Sequence, residues 1–161
     1  MPPRKSPDPA TYVALALRFA LGGWFVWSGY QKVFVTGLGE FTRAVGNYKM
    51  VDAPWDAVVA YTIPWMEMVF GALIVIGLWK RGALWGLAGL VIGFAVGVAH
   101  AQAHHLNIAC GCDGNPNGTP MNYSLKFLEL GAYLLAIFFI WFLGRKGNDY
   151  VFGGTRLKLP G

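Results

Sequence analysis

The sequence predicts an all-α integral membrane bundle of four transmembrane helices, and three observations predict it. Charged residues occupy 13% of the 161 positions, about half of the roughly 25% usual in soluble proteins. Hydrophobic residues reach 55%, and the mean hydropathy is +0.44. Four separate segments stay apolar for about 20 residues, the length a helix needs to cross a hydrocarbon core about 30 Å thick. Such a chain cannot remain solvated as a disordered polymer. Two Cys are too few for a disulfide-dense scaffold.

The first span covers about residues 11–34 and carries Arg18. Its apolar stretch is longer than a signal-peptide core, and no small-x-small cleavage site precedes Lys32, so it reads as a retained helix. The second covers about residues 55–78 and carries Glu67. The third, about residues 83–103, has no charge; its run LWGLAGLVIGFAVGVA is incompatible with a water-facing amphipathic helix. The fourth covers about residues 124–143 and carries Lys126 and Glu129 near its start. Residues 1–10 form a Pro-rich leader, residues 11–143 a single four-helix domain, and residues 144–161 a tail with Gly and Pro breakers. Most of the seven Trp fall toward span ends, as interfacial anchors do. Gly89, Gly93 and Gly97 recur every four residues and make a smooth stripe suited to close helix–helix approach.

Four spans put both termini on one side. That side carries Arg4, Lys5, Lys80, Arg81, Arg145, Lys146, Arg156 and Lys158; the other carries Lys32, Arg43, Lys49 and, marginally, Lys126. Positive charge concentrates on the cytoplasmic side of spans. The expectation is a bacterial inner-membrane protein with both ends in the cytoplasm. Its loops at about 31–54 and 104–123 then face the periplasm. The net charge of +5 is spent on these short clusters, so a lipid bilayer and not a nucleic acid is the expected partner.

The chemistry concentrates in HAQAHHLNIACGCDGNPNGTP, which holds all three His and both Cys, Cys110 and Cys112. On the periplasmic face thiols oxidise and disulfides persist. A bridge between i and i+2 closes a tight ring, and Gly111 relaxes the backbone between the two sulfurs. A strained, exposed disulfide exchanges readily, so the pair suits the passing on of oxidation better than the stapling of a fold. Two incidental thiols remain the plain alternative. A metal is the chemical rival: His100 and His104 share a helix face at i and i+4, and with Cys110 and Cys112 they supply two nitrogens and two sulfurs. The Cys-x-Cys spacing is narrower than usual for zinc, so no metal is expected. Asp113, Asn115, Asn117 and Gly118 imitate the first half of a calcium loop, but Ser124 stands where the bidentate Glu belongs. Ordinary Asn-Pro and Asn-Gly turns suffice.

Arg18, Glu67 and Glu129 lie inside spans, where each charge costs about 2.5–3.5 kcal/mol on insertion scales. Such residues face the bundle interior or one another. Helix depth at 1.5 Å per residue suggests an Arg18–Glu67 pair, with Glu129 nearby or paired to Lys126 three residues before it. These residues are either a structural ion-pair set or the wall of a polar pocket for a proton or a quinone head group.

Three pieces then carry a resemblance: RFALGGWFVWSGYQKV in the first span, PWMEMVFGALIVIGLWKRGA through the second, and NIACGCDG after the third. Across roughly residues 12–143 the chain resembles the DoxX-like/MauE group of small four-helix membrane proteins. In that pattern Arg18 is the first-span Arg, Lys32 the Lys after it, Glu67 the second-span acid, and Cys110 and Cys112 the Cys-Gly-Cys. The resemblance implies a redox-associated membrane protein. The reading drawn from it is thiol–disulfide exchange at Cys110 and Cys112, with a periplasmic thiol protein as partner and a quinone as possible electron acceptor. No haem motif or nucleotide-binding loop stands in the sequence, so no covalent cofactor is expected. The alternative is a non-catalytic accessory subunit of a larger respiratory or photosynthetic membrane complex. A solute transporter fits less well, since no inverted repeat marks a midplane site.

Overall fold

The computed structural model describes residues 9–106, 108 and 121–145. These residues fold into α1 (Pro9–Tyr30), a π-helical turn (Gln31–Val35), α2 (Leu38–Asn47), α3 (Trp55–Ile76), α4 (Lys80–Ala103) and α5 (Tyr123–Arg145), with no strand among them. Three helices are long and apolar enough to cross a membrane: Trp55–Ile76, Lys80–Ala103 and Tyr123–Leu143. The fourth long helix, α1, packs lengthwise on α3.

Glycine makes that packing possible. A Cβ on Gly22 would stand 2.7 Å from the Gly71 carbonyl oxygen, and one on Gly71 equally close to the Gly22 carbonyl. A Cβ on Gly29 would stand 2.6 Å from the Pro64 carbonyl oxygen. From the first contact to the second, the chain advances along α1 and retreats equally along α3, so the helices are antiparallel with their backbones touching. Small residues permit this approach where lipid offers no hydrophobic drive to association.

The expected stripe on α4 is used differently. Gly89 and Gly93 have nothing within 4 Å of a prospective Cβ, and Gly97 faces the Tyr48 ring at 3.6 Å. Among the described residues no helix packs directly on Gly89 or Gly93. Gly93 and Gly97 border an open apolar hollow of about 250 Å³, lined on its other sides by Phe41, Ala44 and Tyr48 of the α2 region and Val59 and Ile63 of α3. Backbone-to-backbone approach falls to the glycines of α1 and α3, which the sequence pattern did not single out, while on α4 Gly86 makes room for the Phe70 ring of α3, 2.6 Å from a prospective Cβ.

The main core joins Leu21 and Phe25 of α1, Ile74 of α3, Leu87, Val91 and Val98 of α4, and Leu130, Ile137 and Ile140 of α5. A second, smaller core of Phe41, Ala44 and Ala60 seats α2 on the start of α3. The stretch expected as a plain loop at 31–54 is thus largely helical. Its first residues extend α1 by one wide turn, closed by the Thr36 amide donating to the Gln31 carbonyl at 2.9 Å. Phe41 and Ala44, three residues apart, then give α2 an apolar edge too short to span but sufficient to dock.

The end of the bundle that carries α2 also carries the stems of the 109–120 segment. The Met121 amide donates to the Ile108 carbonyl at 3.0 Å, and the Tyr123 hydroxyl donates to the Leu106 carbonyl. Asn122 starts α5: its side-chain oxygen accepts from the Leu125 amide at 3.3 Å, an N-cap contact. Cys110, Cys112, the calcium-like run from Asp113 to Gly118, residues 1–8 of the leader and the tail from 146 onward lie outside the described residues.

Candidate functional site

A polar cavity of about 210 Å³ opens between α1 and α5, in the half of the bundle nearer α2. Its floor is a buried ion pair. Lys32 Nζ lies 2.7 Å from Glu67 Oε2, with side-chain exposures of 1% and 2%. The ammonium also donates to Glu67 Oε1 at 2.8 Å and to the Ser28 hydroxyl at 2.8 Å. Three donors thus meet three acceptors, the arrangement a buried ammonium needs. The rings of Phe41 and Phe94 each stand 5.5 Å from Lys32 Nζ, within cation–π range.

Local structure explains how Lys32 gets there. Glu67 sits about 18 Å from the start of α3 and about 14 Å from its end, close to the middle of the helix. Lys32 comes from the π turn, one helical turn beyond Ser28 on the same face of the α1 continuation. π turns are rare and recur at functional positions.

The opposite wall is a second pair on α5. Lys126 Nζ lies 2.6 Å from Glu129 Oε2, and the Tyr133 hydroxyl donates to Glu129 Oε1 at 2.7 Å. Positions 126, 129 and 133 fall on one helical stripe. The cavity therefore sums two ammonium and two carboxylate groups to zero net charge. Trp24, Trp27 and Phe25 of α1 add flat apolar surface to its lining. Trp24 and Trp27 are half exposed, at 49% and 54%, and mark where the cavity meets its surroundings. Hydroxyl, amide and ammonium donors around flat rings suit a ligand with a planar, uncharged, hydrogen-bonding head.

Residues 10–144, most of the chain, match the family described as methylamine utilisation protein MauE. The chain belongs to the MauE family. No curated protein and no solved structure matches it significantly. With three helices fit to cross a bilayer, this MauE-family chain is a multi-pass membrane protein.

The residues expected inside the spans are arranged differently from the expectation in one respect. Arg18 does not pair with Glu67. Its Nε and Nη2 donate to the Ile74 carbonyl at 3.2 and 3.1 Å, and Nη2 reaches the Val75 carbonyl at 3.4 Å. The antiparallel register sets Arg18 beside the last turn of α3, about two helical turns from Glu67. There the carbonyls have no intrahelical partner and attract a cation. Glu67 takes its cation from the π turn that follows α1. The Lys126–Glu129 pair forms as its spacing suggests.

From the sequence, Lys32 is a loop charge and a position of the family resemblance, not a site residue. The four-residue step from Ser28 and the apolar flanks in QKVFV are the local signals for it. Tyr133 was also missed, although it follows Glu129 by one helical turn. His100 and His104 share a face as expected, their ring centroids 4.3 Å apart. Among the described residues no three potential metal ligands cluster. The two Cys of the alternative metal set lie outside those residues.

Proposed function

We propose that this MauE-family protein exchanges thiols for disulfides at Cys110 and Cys112 and passes the electrons to a quinone bound in the Lys32–Glu67 cavity. On this reading α1 is a fourth span, both termini are cytoplasmic, and the Cys segment faces the periplasm of a bacterium. A substrate thiolate attacks one sulfur of the Cys110–Cys112 disulfide and forms a mixed disulfide. A second substrate thiol then displaces it, leaving an oxidised substrate and a reduced pair. Re-forming the bond releases two electrons and two protons. The quinone takes both and becomes a quinol.

The carrying observation is the cavity itself. It is electrically neutral, flanked by rings and embedded among apolar helices, yet it holds two ion pairs and several donors. A neutral lipid-soluble acceptor suits it better than an anionic one, which would leave an uncompensated charge away from water. The stems of the Cys segment support the coupling. Tyr123 ends that segment and precedes cavity residue Lys126 by three positions, about 4.5 Å of helix.

Two measurements test the reading. Cys110→Ser and Cys112→Ser chains, purified from membranes, should each retain a partner through a mixed disulfide that reductant releases. The reduced wild-type chain, mixed with a soluble quinone, should lose two alkylatable thiols per quinol formed. Thiols that never change state overturn the proposal. The accessory-subunit reading keeps one observation in its favour, the open face at Gly89 and Gly93. A redox-inert chain that migrates in mild detergent within a stoichiometric larger complex would establish it instead.

A further inference from the structure

We infer that the ligand of the cavity carries a long apolar tail, held in a trench that continues from the cavity between α1 and α5. This rests on the quinone reading above and specifies the class: a quinone bearing a polyisoprenoid or comparable chain, not a compact water-soluble one.

The trench is visible as a second hollow, bordered by Leu17, Ala20 and Leu21 of α1 and by Ala136 of α5. Trp24 and Tyr133 border both hollows, so the two meet there. Along α1 the lining advances from Leu17 through Leu21, Trp24 and Ser28 to Gln31, a single helical stripe about 21 Å long. Along α5 it advances from Ala136 through Tyr133 and Glu129 to Lys126, a matching stripe in the opposite direction.

Chemistry divides this trench sharply. Every hydrogen-bonding side chain lies at or beyond the Trp24–Tyr133 waist, on the side of the Lys32–Glu67 pair. Below the waist all bordering side chains are hydrocarbon. The trench is open there because small residues, Ala20 and Ala136, stand where larger ones would fill the gap between the helices. A polar head with no tail would leave the lower half to lipid. A tail attached to the head fills it without a further ordering cost for a separate molecule. The polar end lies toward α2 and the apolar end toward the start of α1 and the end of α5, so the tail runs along the helices into the hydrocarbon.

The test uses the full chain in detergent micelles and two quinones with the same ring, one without a side chain and one with several isoprenoid units. Quenching of tryptophan fluorescence reports binding, and every comparison is made between variants in the same micelles, so that partitioning cancels. The tailed quinone should bind the wild type more tightly than the tail-less one. Ala136→Phe, which fills the trench, should shrink that ratio by about tenfold. Ala20→Phe should do the same, and as Ala20 is exposed it guards against a packing artefact. Leu135→Phe, on the outer face of α5, should leave the ratio unchanged. A ratio that survives both trench substitutions overturns the tail assignment while leaving the head-group site intact. Failure of both quinones to bind the wild type overturns the quinone reading and the tail with it. Displacement of both by a phosphatidylglycerol excess, with the variants altering only phospholipid retention, identifies a lipid site and overturns the proposal.

Discussion

Lys32 and Glu67 form an ion pair at 2.7 Å that joins the π turn after α1 to the middle of α3, and neither side chain is more than 2% exposed. The pair closes one face of the cavity and ties the end of α1 to α3 at the point where a lone charge would be most costly. Arg18, in mid-α1, ties the same two helices at the last turn of α3.

Breaking the pair on one side should be far worse than removing it. Glu67→Leu leaves an ammonium buried without its carboxylate and should cost about 3–5 kcal/mol. Lys32→Met alone strands the carboxylate and should cost a similar amount. The double variant Lys32→Met/Glu67→Leu should recover most of the loss. Unfolding free energies of the three chains in detergent form a double-mutant cycle, and simple additivity would mean that the two groups do not interact.

Arg18 and Gly77 should fail together. Gly77 has φ +87° and donates its amide to the Leu73 carbonyl at 2.9 Å, ending α3 in the left-handed conformation that favours glycine. A Cβ there would also meet the Arg18 guanidinium. Gly77→Ala should destabilise by about 1–3 kcal/mol from the backbone alone. Arg18→Lys should cost about 1.5–3 kcal/mol, because an ammonium cannot reproduce the forked contact with the Ile74 carbonyl. Thermal melts of the single and double variants reveal whether the losses overlap, as one shared site requires.

Two sets of glycines should respond oppositely to alanine. At Gly22 and Gly71 the new methyl meets a backbone carbonyl at 2.7 Å, so the helices must separate, at about 1–3 kcal/mol each. Gly89→Ala and Gly93→Ala meet open space and should raise stability slightly through helix propensity. Melting temperatures in detergent separate the two classes. Loss of stability at Gly89 or Gly93 would point to a partner covering that face.

Alkaline pH should act through Tyr48. Burial, with Tyr123 adding to it, pushes its phenol up from 10.0 to about 12. The folded state then holds the proton more tightly than the unfolded state. The stabilisation is complete below about pH 10 and is lost as pH rises through about 12. Tyr48→Phe should flatten stability across that window, in melts recorded at successive pH values. An unchanged slope would mean that Tyr48 ionises in the fold as it does in water.

The long helices were legible because their cause is local. A run of about 20 apolar residues has few options other than a membrane helix, and α3, α4 and α5 begin and end within three residues of where the sequence placed the second, third and fourth spans. The i, i+3 pairing of Lys126 with Glu129 was legible for the same reason, since both partners ride one helix. The Cys-Gly-Cys chemistry could be read only as chemistry.

Sequence alone determined the helical class, the membrane habit and the presence of charges that must find shelter. Tertiary structure alone decided who shelters whom. The choice of Lys32 over Arg18 for Glu67 follows from the antiparallel register of α1 on α3, which the Gly22–Gly71 and Gly29–Pro64 contacts fix. Likewise, the cavity exists only because stripes on α1 and α5, more than ninety residues apart in the chain, come face to face. Periodicity tells a helix which side is unlike the rest. It carries no information on which other helix will meet that side, because that depends on backbone approach distances set by all the helices at once.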